Sequence, residues 1–163
     1  MKDNGKIAGV RSDEELYMIQ SASEMHTKPV VEYSSRKYHI EGKQVLEISV
    51  KKSVLRPHLA PDENGRMRAF IRVGDQNFKA NRIIIRVWKK EKSEIGVKIA
   101  YNKPEKLLLE YLSMNPSVTF SKFRKMAKIN PYYAEKILAD FISLKLIEPV
   151  ISDNQTAYKL IEK

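Results

Sequence analysis

Hydrophobic and polar positions alternate with different periods in the two halves of the chain. After the turn-forming Asp3-Asn4-Gly5, Lys6 to Val10 reads as a short strand, and Ser12 with Glu15 makes a capping-box start to a helix reaching about Met25. Val30 to Ser34, Arg36 to Ile40 and Lys43 to Lys52 read as strands, with Glu41-Gly42 as the tight turn between the last two. Leu46, Ile48 and Val50 fall on one face by period-two alternation. Ser53 to Gly65, with two prolines, a glycine and Asp-Glu-Asn, reads as a loop, and Arg66 to Val73 as the next strand. On that strand Met67, Ala69, Ile71 and Val73 point one way and Arg66, Arg68, Phe70 and Arg72 the other. Asn81 to Ser93 separates its faces only at helical spacing. Ile83, Ile84, Val87 and Trp88 form one stripe, Arg82, Arg86, Lys89 and Lys90 the opposite one, and Asn81 suits the N-cap.

The second half has helical periods. Asn102 opens a helix to about Met114 carrying Leu107, Leu108, Tyr111 and Leu112, and Asn115-Pro116 stops it. Val118-Thr119 is a short extended piece, and Phe120 to Lys128 is a second helix. Asn130-Pro131 supplies the cap and first-turn proline of a third helix, which buries Ala134, Ile137, Leu138 and Phe141 and ends near Leu144-Lys145. Strands at Ile147 to Ile151 and Ala157 to Ile161 close the chain. That order is the order of a winged helix-turn-helix, in which the third helix enters the major groove and the wing touches the backbone. Its exposed side would carry Tyr132, Tyr133, Lys136, Asp140 and Ser143, with Lys122, Arg124, Lys125 and Lys128 holding phosphates and Lys159 assisting from the wing. The third helix is electrically neutral, Glu135 and Asp140 offsetting Lys136 and Lys145. Winged helices also dock proteins, so both uses stand at this point. The fold class expected is α+β: a small mixed α/β domain over residues 1–92, a linker over 93–100 and a winged helix-turn-helix domain over 101–163.

Charge adds the candidate partner. The chain of 163 residues carries 30 Lys plus Arg against 20 Asp plus Glu, a formal net charge of +10. Such an excess points to an anionic partner, with nucleic acid the first candidate. It is concentrated. Between Arg66 and Lys92 the basic residues Arg66, Arg68, Arg72, Lys79, Arg82, Arg86, Lys89, Lys90 and Lys92 meet only Asp75 and Glu91, and Lys122 to Lys128 contains no acid. Arginine pairs with phosphates bidentately and a ring stacks on a base, so the Arg66, Arg68, Phe70, Arg72 face suits nucleic acid; it equally suits a solvated sheet face whose Arg stems cover the phenyl ring.

Absent residues exclude other classes. With no cysteine there is no disulfide framework, thiol redox chemistry or zinc finger. The longest apolar runs, such as Ile83-Ile84-Ile85, fall far short of the ~20 residues of a membrane span. A protein of the cytoplasm, without membrane attachment, is expected. The six glycines are too scattered for a phosphate-cradling loop, and no Gly-x-x-x-x-Gly-Lys-Ser/Thr occurs. Glu14, Glu15, Asp62 and Glu63 form no trio able to hold a metal, and His26, His39 and His58 lack the spacing of a metal pair. No enzyme activity, cofactor or metal is expected.

Several segments together carry a family likeness: Gly5-Lys6-Ile7-Ala8-Gly9-Val10, the Asp13-Glu14-Glu15 helix, Val45 to Val50, Arg56-Pro57-His58, and Ala69-Phe70-Ile71-Arg72-Val73-Gly74-Asp75. Over residues 1 to 90 the chain resembles the C-terminal part of the Schlafen/Alba-like DNA-binding domain, common in bacterial transcriptional regulators that carry a helix-turn-helix next. The resemblance implies a nucleic-acid-associated regulator of unsettled activity and carries over Arg72 as a functional position; the partner expected is nucleic acid, duplex DNA first. Family members usually have a preceding helix and strand paired with the segment that here is Lys6 to Val10, so the domain is expected to be N-terminally incomplete. An unpaired strand edge invites a second molecule, hence self-association through the N-terminal half is expected. The alternative is a protein-interaction or oligomerisation module with non-specific nucleic-acid affinity.

Overall fold

Glu41 and Gly42, both at positive φ (51° and 71°), turn the chain between β1 (Ser34–Ile40) and β2 (Lys43–Ser49). Two left-handed residues give the turn whose twist matches antiparallel strands, and glycine adopts that conformation without strain. The register runs from Ile40↔Lys43 at the turn to Ser34↔Ser49 at the open end. This hairpin belongs to a computed structural model that describes residues 6–10, 12–92, 101–152 and 155–162. The chain is mixed α+β and divides into two compact units, Met1–Arg68 and Ala69–Lys163.

The first unit is joined by polar bonds. Its helix α1 (Glu14–His26) has the exposed Ser12 hydroxyl accepting from the Glu14 N–H at 3.2 Å, and Ser23 donates its hydroxyl to the Val31 carbonyl at 2.6 Å. Lys28 and Leu59 exchange backbone bonds of 2.9 and 2.7 Å, leading into β3 (Leu59–Pro61). Among the described residues of this unit, Ser23 alone is buried. Three sequence expectations change here. Lys6 to Val10 forms no strand; Gly9 at φ +77° turns the backbone, and the segment meets β2 through the Val10 N–H at the Gln44 carbonyl, 2.7 Å away, and the Ile7 carbonyl, which accepts from the Lys43 ammonium at 2.7 Å. Val30 to Ser34 is not a strand before Ser34, since the Val31 carbonyl is taken by a side chain. The loop expected over Ser53 to Gly65 contains β3.

β4 (Met67–Val73) carries the chain into the second unit, where Phe70 to Val73 pair with β5 (Gln76–Lys79), a strand that the alternation of residues does not announce. Next comes α2 (Arg82–Glu91), capped by the Asn81 side chain, which accepts from the Ile83 and Ile84 N–H groups at 3.0 Å each. After α3 (Lys103–Met114) follow β6 (Val118–Thr119) and α4 (Phe120–Ala127), then α5 (Pro131–Ser143), β7 (Ile147–Ile151) and β8 (Thr156–Leu160). The Thr119 hydroxyl caps α4 and the Asn130 side chain caps α5, with Pro131 opening the helix. Lys128, at φ 52°, ends α4 in the left-handed conformation. The last three strands form an antiparallel sheet in the order β6-β8-β7.

One hydrophobic core holds this unit. Leu108, Phe123, Ala134, Leu138, Ala139 and Ile147 are fully buried, and Ile83 and Val87 of α2 belong to the same cluster. α2, read from sequence as the last element of a first domain, packs against α5. Its apolar stripe is the reason: Ile83 and Val87 are buried in the cluster that the α5 side chains line. The linker expected over 93–100 lies outside the described residues.

Candidate nucleic-acid interface

Three of the basic residues singled out in sequence lie on or before β4; the guanidinium groups of Arg68 and Arg72 are engaged locally, and Arg66 bonds through its backbone. The Arg66 N–H donates to Asp62 Oδ1 at 2.9 Å, and the Arg68 guanidinium stands 3.6 Å from Asp62 Oδ2. Arg72 donates Nε–H to the Gly74 carbonyl at 3.0 Å, reaches Asn77 Oδ1 at 3.3 Å, and lies 3.6 Å from Asp75. The side chain carried over from the family likeness is therefore folded onto its own hairpin. Phe70 is half-buried and Met67 and Val73 are both 39% exposed, so β4 has no clean division into core face and arginine face. Alternation along one strand says nothing of what covers it.

α2 is joined to β8 at one place and to α5 at two. At the start of α2 the Asn81 amide lies 3.4 Å from the Tyr158 hydroxyl on β8. In the middle, Arg86 donates Nε–H to Glu135 at 3.1 Å and places its guanidinium 4.5 Å from the centre of the Tyr132 ring. Toward the end, the Lys90 ammonium pairs with Asp140, which also takes Lys136 at 3.2 Å. Arg82 remains mostly in solvent, 4.0 Å from Glu135. Burial pushes the Tyr158 hydroxyl up to about 12; the bond from Asn81 opposes this and the charge of Glu135 adds to it.

Apolar burial dominates this attachment. Covering Ile83 and Val87, the α2 side chains in the core cluster with α5, contributes roughly 1.5–3 kcal/mol each as an upper estimate. The exposed Arg82 pair contributes at most about 1 kcal/mol. Removing α2 from α5 therefore costs at most the ~5.5 kcal/mol that inverts a 1:99 equilibrium. The ion pairs set the register of a contact that the apolar stripe stabilises.

The α5 face expected to be free is consequently narrow. Asp140 is buried, and Tyr133 is half-buried with its hydroxyl donating to Glu105 at 3.1 Å. Of the five side chains expected on the outer side, Tyr132 and Lys136 are exposed and Ser143 is half-buried. The two acids that make this helix neutral are the anchors of α2. Their spacing on the helix, five residues apart against Arg86 and Lys90 four apart, was the available signal, and it acquires meaning only once the two helices are known to touch. No signal marked the Asn81 bond to Tyr158, 77 positions away.

α4 differs. Lys122, Lys125 and Lys128 are exposed, Arg124 is half-buried, and none of the four has an acidic partner among the described residues. Lys122 lies 4.8 Å from the centre of the Tyr111 ring. Lys89 on α2 is likewise exposed without an acid. On the wing, Lys159 pairs with Glu148 at 3.0 Å, and that hydrogen bond and charge hold its ammonium above the usual lysine range. Sequence-predicted cations thus separate into those held by acids, Arg68, Arg72, Arg82, Arg86, Lys90, Lys136 and Lys159, and those that are not, Lys89 and the four of α4 and its C-cap.

Among the described residues no group of three potential metal ligands assembles, and no helix is long and apolar enough to cross a membrane. No curated protein and no solved structure matches the chain. Residues 1–81 match the family described as Schlafen, AlbA_2, which supports a Schlafen/AlbA-like domain over that stretch and ends one residue before α2 begins.

Proposed function

We propose that the chain is a nucleic-acid-binding protein, a transcriptional regulator acting on duplex DNA without catalysis of its own, whose residues 101–163 form a winged helix-turn-helix domain. The single observation that carries the binding reading is α4: Lys122, Arg124 and Lys125 on one short helix and Lys128 at its C-cap, with no acidic partner among the described residues. The Schlafen/AlbA-like match over residues 1–81 supports it independently, and so does the net charge of +10. The winged-helix reading is supported by the element order α3, β6, α4, α5, β7, β8 and the sheet order β6-β8-β7. Phosphate contacts by Lys and Arg release counterions, so affinity falls linearly on a logarithmic salt axis. Anisotropy titration of a random duplex across a salt series tests this. A steep negative slope is expected, and an affinity absent or flat at low salt would overturn it.

A second reading, self-association through the first unit, has its own observation. Tyr17, Met18 and Met25 of α1 are 70%, 67% and 71% exposed, and Val54 is 82% exposed. Light scattering that gives a monomer at every concentration would remove it.

A further inference from the structure

We infer that α5 reads no base edges, because α2 stays seated on it, and that duplex is held through its phosphates by Lys122, Arg124, Lys125 and Lys128, without regard to sequence. The inference rests on the nucleic-acid reading above and specifies its mode.

A reading helix must enter the major groove, which at about 12 Å wide admits one helix. α2 occupies part of the side of α5 expected to face the groove, since Asp140 of that side pairs with Lys90, and two helices side by side, each about 10–12 Å across with axes about 8–10 Å apart, are too wide for it. α2 accompanies α5 along its middle, from Arg86 at Glu135 to Lys90 at Asp140, and Ala139 between those acids is fully buried. Beyond Pro131 the exposed side chains of α5 are Tyr132 and Lys136. Both are engaged, Tyr132 beneath the Arg86 guanidinium and Lys136 on Asp140. A reading helix ordinarily brings about three or four side chains to base edges. α4 has the opposite character: its cations are unneutralised and meet phosphates with no ion pair to break.

The test uses the intact chain and random duplex. Lys122→Glu with Lys125→Glu is expected to weaken binding by about tenfold or more and to reduce the salt slope by about 0.9 for each phosphate no longer neutralised. Lys125→Glu alone, at an exposed side chain with no acidic partner, should shift both in the same direction and guards against misfolding of the double variant. Tyr132→Ala with Lys136→Ala should change affinity less than about twofold, and selection from a random pool should enrich no motif. Enrichment of a motif that the Tyr132 and Lys136 substitutions abolish would overturn the inference while leaving nucleic-acid binding standing. Absence of salt-sensitive affinity for any duplex would overturn both.

Discussion

In the first unit Tyr38 and Ile40 of β1 stand 41% and 42% exposed beside the bare side chains of α1, whereas in the second unit Phe123, Leu138 and Phe141 are buried to within 1%. Both regions have hydrogen-bonded elements, and among the described residues only the second has a core. Backbone bonds contribute little net stability because water offers the same bonds to the unfolded chain. The difference teaches that the presence of a hairpin and helix is not the presence of a stable unit. It also explains the allegiance of α2, whose apolar stripe is buried where a core exists to receive it.

The largest test of that contrast is in the core. Phe123→Ala should lower the unfolding free energy by about 3–5 kcal/mol in urea denaturation, against roughly 0.5 kcal/mol for Tyr38→Ala on β1. Equal effects would erase the distinction.

Next comes alkaline pH. Tyr158 holds its proton to about 12 in the folded protein, against 10.0 ordinarily, so above 10 the unfolded chain ionises first. Stability contributed by the neutral hydroxyl is complete below about 10 and declines as pH rises toward about 12, by about 3 kcal/mol. Chemical denaturation at pH 9 to 12 should show this decline, and Tyr158→Phe should remove it.

A smaller effect separates two ion pairs. Asp140→Asn, at the buried carboxylate shared by Lys90 and Lys136, should cost about 2 kcal/mol. Asp13→Asn, at the exposed pair with Lys37 in the first unit, should cost about 0.5 kcal/mol or less by the same measurement. Comparable values would show that α2 is held no more firmly than a surface pair.

Much of the second unit was legible because each element carries its own punctuation. Asn81, Thr119 and Asn130 cap the helices they precede, and Pro131 opens α5. The hairpin turn at Glu41-Gly42 was legible for the same reason. Strands of the first unit were less so: Lys6 to Val10 alternates well enough, yet a strand exists only where a neighbour completes its ladder, and Gly9 turns that neighbour away. The candidate site was legible as a set of charges and illegible as an arrangement. Arg86, Lys90 and Lys122 are equivalent in sequence; contact with Glu135 and Asp140 occupies the first two and leaves the third without an acid.

Native-state hydrogen exchange on the intact chain tests the allegiance of α2 most directly, since amides open with the cooperative unit they belong to. The amides of α2 within Ile85–Glu91 should exchange at the slow rate of α5, while those of the β1–β2 hairpin exchange much faster. If the α2 amides exchange with the hairpin instead, α2 is not seated on α5, and both the coreless character of the first unit and the covered face of α5 are contradicted.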